Sequence, residues 1–432
     1  MGSGDSVRVV ILPSSSCSYE DSVRITVSGL EPRQRVELRS LLQDDKGVVF
    51  RAAARYQADR SGELDLSRHA SLGGSYTGVE PMGLFWSMEA DVPHSKVVKR
   101  DASTPLFVHI EASSGGKTLA QATNERHFAV QGVRRVPVRD GRIRGTLFIP
   151  PGEGPFPAVV DLYTLGGILC EPRAALLASN GFVTLALALY GYQDMPRKVD
   201  KIELEYFEEA LTFLQNLPEV SKVKPHVCHL KVKKTGVGIV SISKSGELAL
   251  AMASFLPNVK ATAWINGNIA NVLFPLHYKD IVLPPLSENV ERITTTASGI
   301  LDIRDVLNDP MDKENRSRVI PIERASCNFL FIASEDDRNW NSVYYAEQAS
   351  KILKAHRKTN YEVVTYPKAG HFLEIPYMPF YPSGIHAAVG QAVAFGGEPK
   401  AHAVAQVDTW KRLLEFFKKH LEFADGRLKS LL

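Results

Sequence analysis

Ser243 sits where a buried apolar run, GVGIVSI, turns abruptly into a helical pattern, KSGELALAM. A serine at such a corner exposes its oxygen for nucleophilic attack, and a neighbouring base would make it a covalent catalyst. The flanking residues two before and two after must be small enough for strand and helix to approach. Glycine is the usual choice, but here the positions hold Ser241 and Ser245. A serine at a strand end can also serve only to cap the following helix, so local sequence leaves both readings open. The helix is expected from about Lys244 to Leu256, ended by Pro257, with Leu248, Met252 and Phe255 on its inner stripe. Its first turn would point unpaired N–H groups and a positive dipole end above Ser243, which suits an oxyanion.

An elbow serine needs an acid and then a histidine further along the chain. SEDDRNW offers Glu335, Asp336 and Asp337 directly after the apolar run NFLFIAS, and KAGHF places His371 just past YEVVTYP. Both positions follow strands at their carboxyl ends, where open α/β sheets build their sites. His277, His356 and His386 are each expected to be surface or structural residues. An oxyanion hole would combine the N–H of Lys244 with a donor from Thr164, Leu165, Gly166 or Gly167, since that glycine pair follows the first buried strand and lets backbone approach a substrate closely.

These residues need a frame, and the apolar pattern supplies two. Up to about residue 135 the chain alternates in short segments: VRVVIL (7–12), VRITVS (23–28), VELRSLL (36–42) and PLFVHIEA (105–112). Gly, Pro, Ser and Asp clusters separate them and no helical stretch stands out, which predicts an antiparallel sandwich. After Gly145 come continuous apolar runs, FPAVVDLY, FVTLALAL, GVGIVSI, ATAWIN and NFLFIAS, which read as strands buried on both faces. Helical patterns lie between them; in IELEYFEEALTFLQNL, Leu204, Phe207, Leu211 and Leu214 fall on one stripe. Such alternation predicts a mainly parallel, doubly wound sheet. The Arg-, Gly- and Pro-rich stretch 134–156 is the expected boundary, giving domains 1–135 and 136–432. No internal repeat or low-complexity tract is present.

The bulk properties bound the functions. A chain of 432 residues exceeds one ordinary core. Its 44% hydrophobic and 23% charged content is that of a globular protein outside a membrane. A formal charge of +3 is too small to imply nucleic acid, although a locally basic groove for an acidic ligand is compatible with it. Cys17, Cys170, Cys228 and Cys327 are scattered without CxxC pairs, which points to a reducing compartment and against structural zinc. No apolar run approaches the roughly 20 residues that span a bilayer, and the start carries neither a signal-peptide core nor an Arg-rich transit segment. The opening MGSGDS fits a loose myristoylation pattern, and the closing Ser-Leu-Leu is near a peroxisomal Ser-Lys-Leu but lacks its basic middle residue. Cytoplasmic location is expected, with the peroxisome as the alternative, and a monomer without stable membrane insertion.

Seven segments together resemble the type-I acyl-CoA thioesterases and the related bile acid-CoA:amino acid N-acyltransferases: VRRVPVRDGRIRGTLFIPP, LEYFEEALTFL, ISKSGELALAMASFL, INGNIANV, ASEDDRNW, YPKAGHFLEIPY and GGEPKAHAVAQVDTWK. The resemblance covers nearly the whole chain. It implies an N-terminal β-sandwich and a C-terminal α/β-hydrolase domain. It also implies Ser243 as nucleophile, Asp337 as acid, His371 as base, acyl-CoA as substrate, and neither metal nor organic cofactor. The departures are Ser241 and Ser245, where thioesterases usually carry glycine, and a longer basic insert, SKVKPHVCHLKVKK (221–234). The transferase branch uses cysteine as nucleophile, so serine points to hydrolysis. The alternatives are acyl transfer to an amino acid and a non-catalytic acyl-CoA-binding protein with an impaired elbow.

Within the insert stand Lys222, Lys224, Lys231, Lys233 and Lys234, with His226, Cys228 and His229. They read either as a solvated loop or as phosphate contacts for coenzyme A, in which Lys231, Lys233 and Lys234 would act as point charges. A metal site there lacks a fourth ligand. In the N-terminal half, Phe85 and Trp86 of GLFWSME read as strand neighbours facing opposite ways. One of the two rings would then leave the sandwich core, to anchor the hydrolase domain or to line the acyl tunnel. Either way the sandwich is expected to cover the side that holds Ser243.

Overall fold

Strand Arg35–Gln43 buries Val36, Leu38, Ser40 and Leu42 and turns the residues between them outward, the period-two pattern of a sheet with one dry face. In the computed structural model, which describes residues 6–163, 169–220 and 236–421, this strand belongs to a seven-stranded sheet. There it pairs antiparallel with Val49–Gln57 and Leu106–Ser114. A smaller sheet of Arg8–Leu12, Arg24–Ser28 and Leu64–Asp65 faces it. The two enclose Ile25, Val27, Leu38, Phe50, Val108 and Ile110. The expected sandwich is present.

One expectation for this half is overturned. Gly83–Trp86 is a single-turn helix, so Phe85 and Trp86 do not point to opposite faces of a strand. Both rings are buried. A four-residue helix is too short to leave a period in the sequence. Trp86 lines a groove of about 780 Å³ that Tyr377, Ala403 and Val407 of the C-terminal half complete, and its carbonyl accepts the N–H of Phe380 at 3.2 Å.

The second half is built on eight strands: β1 (Arg134–Asp140), β2 (Ile143–Ile149), β3 (Ala158–Leu162), β4 (Val183–Leu187), β5 (Val237–Ile242), β6 (Val259–Ile265), β7 (Asn328–Ser334) and β8 (Tyr361–Tyr366). Their order in the sheet is β1-β2-β4-β3-β5-β6-β7-β8. The β1–β2 and β2–β4 pairs are antiparallel, and all the rest are parallel. Stretch 134–156 thus opens with a hairpin that is the antiparallel edge of this sheet.

Burial explains why the strands read as unbroken apolar runs. Val159, Val240, Ala263 and Ile332 face a core shared with helices α1 (Pro172–Ser179) and α5 (Pro399–His420) and with the sandwich. Val160, Ile239, Trp264 and Phe331 face the opposite core beneath α2 (Leu204–Asn216), α3 (Ser245–Phe255) and α4 (Ser342–Ala355). Helix α2 buries the expected stripe. Helix α3 departs from its expected amphipathic form: every residue from Ser245 to Ala253 is buried, because it lies between the sheet and α2.

The sandwich is joined to the sheet by a continuous core rather than by a tether. Glu20 accepts from Trp410 Nε1 and, at 2.8 Å, from Asn180 Nδ2. His94 meets Ser383 Oγ at 2.9 Å. Among the described residues no helix is long and apolar enough to cross a membrane.

Candidate active site

Ser243 follows β5 with φ +61°, a left-handed conformation that costs a non-glycine residue energy and is typical of a nucleophile turn. Its N–H donates to the Ile265 carbonyl at 3.0 Å, and its own carbonyl accepts from Gly246 at 2.8 Å, so the corner is held on both sides. The close approach of helix and sheet falls one residue later than expected. A Cβ on Gly246 would come within 2.8 Å of the Gly267 Cα and of Trp264 Nε1. Ser241 and Ser245 do not crowd the turn. They are fully buried, with Ser241 Oγ donating to the Ala263 carbonyl at 3.1 Å and Ser245 Oγ to the Leu162 carbonyl at 2.8 Å.

Three chain segments converge on Ser243. His371 lies after β8, and its Nε2 stands 2.8 Å from Ser243 Oγ. Its Nδ1 stands 2.8 Å from Asp337 Oδ2, on the loop after β7. Asp337 accepts four hydrogen bonds: from His371, from Ser342 Oγ at 2.5 Å, and from the N–H groups of Asn339 and Trp340 at 2.8 and 3.1 Å. A carboxylate accepting that many donors is held in one orientation, with its two oxygens spoken for. All three side chains are buried; Ser243 is 4% exposed and His371 fully covered. The edge of Phe372 meets the His371 ring at 4.7 Å between centroids, and Trp340 lies 6.2 Å away. The order is a hydroxyl, an imidazole and a carboxylate, which can pass a proton from oxygen to ring while the acid fixes the tautomer.

The helix after the elbow carries a second buried charge. Lys244 turns its side chain inward and pairs with Glu247. Burial pushes the Glu247 carboxyl up, and the Lys244 ammonium pulls it part of the way back. Lys244, expected as an oxyanion donor, is the N-cap residue of α3, directly after Ser243. Thr164, Leu165, Gly166 and Gly167 lie outside the described residues, as do Lys231, Lys233 and Lys234 with the rest of the basic insert, and the chain's last residues.

Several residues of the site were not read from the sequence. Asn266, at the end of β6, gives its Nδ2 to the carbonyls of His371 at 2.6 Å and Gly370 at 3.3 Å. Its Oδ1 accepts the Ser334 N–H at 2.8 Å, so it clamps the ends of β6, β7 and the histidine loop. Glu374 accepts from Tyr163 and, at 2.7 Å, from Tyr381. The sandwich contributes Lys96, whose ammonium lies 3.8 Å above the Phe372 ring, a cation–π contact beside His371. Position beside strand ends could have flagged Asn266; nothing local marks Lys96. His386, taken for a surface or structural residue, is half-buried, and burial, helped by the nearby Lys96 ammonium, pushes it down to about 4. No group of metal-binding side chains occurs among the described residues.

Comparison with known proteins gives two family matches. Residues 202–423 match the C-terminal region of the BAAT/acyl-CoA thioester hydrolase family, and residues 20–140 match its N-terminal region. Acyl-coenzyme A thioesterase 3 of Mus musculus is 48% identical over 428 residues, 98% of this chain and 96% of the mouse protein. The human mitochondrial acyl-coenzyme A thioesterase 2 is 48% identical over 98% of this chain and 86% of its own length. Human acyl-coenzyme A thioesterase 1 is 48% identical over 98% of this chain and 99% of its own.

Proposed function

This chain belongs to the acyl-CoA thioester hydrolase/BAAT family, and we propose that it hydrolyses fatty acyl-CoA to free fatty acid and coenzyme A through Ser243, His371 and Asp337. The observation that best supports the reading is the pair of 2.8 Å contacts that run from Ser243 Oγ through both nitrogens of His371 to Asp337. Ser243 attacks the thioester carbonyl while His371 Nε2 takes its proton, and Asp337 stabilises the imidazolium. The tetrahedral oxyanion is held by the Lys244 N–H and by a donor from the Thr164–Gly167 loop, each such donor being worth about 2.7–4 kcal/mol. Collapse expels the coenzyme A sulfur, which receives the proton from His371. Water, activated by the same imidazole, then attacks the acyl-serine and releases the acid.

The domain division that goes with this reading is a covering sandwich, 1–135, and a catalytic unit, 136–432. Phosphate contacts from Lys231, Lys233 and Lys234 belong to the same proposal. For location we propose the cytosol, on the three free cysteines among the described residues, Cys17, Cys170 and Cys327; a punctate signal lost on deleting the last three residues would place the protein in peroxisomes instead.

Thiol release from acyl-CoA of graded chain length tests the function. Ser243→Ala is expected to fold normally and to lose several orders of magnitude in turnover. Wild-type rates in that variant would end the mechanism. Product analysis with and without glycine or taurine separates hydrolysis from transfer, and a dominant N-acyl product would overturn the reading. Binding of acyl-CoA without thiol release would mark a non-catalytic binding protein.

A further inference from the structure

The segment GGEPKAHAVAQVDTWK forms the start of α5, and nothing in the proposed chemistry uses it. His402 on this helix is buried and reaches back to the main chain on both sides of His371. The Gly370 N–H donates to His402 Nδ1 at 3.0 Å, and His402 Nε2 donates to the Phe372 carbonyl at 2.9 Å. A ring nitrogen that accepts carries no proton, so the two contacts together assign the hydrogen to Nε2. Burial pushes His402 down to about 4, so the ring is neutral near pH 7. Asn266 also holds the Gly370 and His371 carbonyls. The peptide units flanking His371 are therefore gripped by a helix and a strand end.

We propose that His402 is a positioning residue for the reaction: it fixes the main chain on either side of His371 so that the His371 imidazole stays in line with both Ser243 and Asp337. The inference rests on the triad reading above. His371 has hydrogen bonds at both ring nitrogens, so a shift of its backbone cannot be absorbed by rotating the side chain without losing one of them. A misplacement of about 1 Å can cost on the order of 100-fold in rate. His402 touches neither substrate nor reacting atoms. Its effect passes through Gly370 and Phe372.

Three substitutions separate the two contacts. Asn carries an acceptor near the place of Nδ1, Gln a donor near that of Nε2, and Leu neither. His402→Leu is expected to lower kcat about 100-fold, and His402→Asn and His402→Gln about 10-fold each, with KM within about threefold of wild type. A serine-directed fluorophosphonate provides a second readout that does not need acyl-CoA. In His402→Leu, Ser243 should label more slowly by the same factor as kcat falls, yet reach near-complete labelling at long times. An unchanged labelling rate, or a reduced final labelled fraction with normal kcat per labelled site, would reduce His402 to a structural residue and overturn the proposal. If the wild-type chain labels at Ser243 but releases no thiol from acyl-CoA, the proposed function fails, and the labelling rates still decide the role of His402.

Discussion

The hydroxyl of Ser245 donates to the carbonyl of Leu162 at 2.8 Å and accepts the Ile242 N–H at 3.1 Å, tying the first turn of α3 to the ends of β3 and β5. Together with Ser241, which bonds across to β6, it gives the elbow stitches that glycine could not supply. The two serines therefore brace the nucleophile turn instead of loosening it. Ser245→Gly is expected to lower the free energy of unfolding by about 2 kcal/mol, the worth of the two buried hydrogen bonds it removes, without raising kcat. Denaturant unfolding and thiol release on the same preparation check both parts, and a severalfold gain in kcat would show that the serine impairs turnover.

Asp337 has four donors, and they are not equivalent. Only one of them is the His371 imidazole, the base of the proposed mechanism. Asp337→Asn, whose amide cannot hold the His371 Nδ1 proton, should lower kcat by on the order of 10⁴. Ser342→Ala removes a 2.5 Å hydrogen bond but leaves the two backbone N–H groups and His371 in place. Its loss should be nearer 10-fold. Single-turnover acylation rates of the two variants measure the difference, and equal losses would mean that Ser342, not the backbone, orients the carboxylate.

Strands β3 to β7 of the large sheet were legible because they are apolar on both faces, and the same feature marks the elbow, where such a run ends in small polar residues; β1 is largely exposed, so its hairpin with β2 reads as a boundary. Ser243 and His371 were legible for a related reason: they follow strands in chain order. Position left Glu335, Asp336 and Asp337 open; the family resemblance singled out Asp337, whose carboxylate meets His371 Nδ1 at 2.8 Å. The supporting residues were not legible. Asn266 and His371 are 105 positions apart, and His402 acts through the peptide units on either side of His371; no local pattern encodes such meetings. Gly246 and Gly267 lie outside the elbow pattern, which constrains the positions two before and two after the serine, whereas the tight approach is between those two glycines. Lys96 is one lysine among many until the sandwich is docked, when it lies on Phe372. The turn that carries Phe85 and Trp86 was misread as strand because its single helical turn is set by packing.

His402 makes a further prediction about stability. Its pKa falls from 6.5 to about 4 in the folded chain, so between those values the unfolded chain binds more protons. The stabilisation is complete above pH 6.5 and is lost as pH falls toward 4. A shift of that size corresponds to on the order of 3 kcal/mol from this residue. Denaturation midpoints measured from pH 7 to pH 4 should decline less steeply in His402→Gln than in the parent chain. Parallel slopes would show that other groups carry the acid sensitivity.

The sandwich should be indispensable to the catalytic half. Phe148, Val159, Val240 and Phe395 of the second half share one core with Leu84, Phe85 and Trp86 of the first, so removing residues 1–135 would strip the sheet's inner helices and strands of their cover. Lys96 would leave the Phe372 ring, His94 would leave Ser383, and Glu20 would leave Trp410 and Asn180. A chain beginning at Val136 is therefore expected to aggregate or to lose activity. In the intact protein, proteases should cut residues 134–145 slowly, because those residues are a hairpin paired into the large sheet and not a linker. A milder test keeps the sandwich and alters one contact. Lys96→Met preserves most of the bulk over Phe372 but removes the charge, and it should lower kcat a few-fold while leaving the thermal midpoint within a few degrees of the parent. A fully active chain from Val136 onward would show that the sandwich is an independent appendage, and an unchanged rate in Lys96→Met would confine its part to packing.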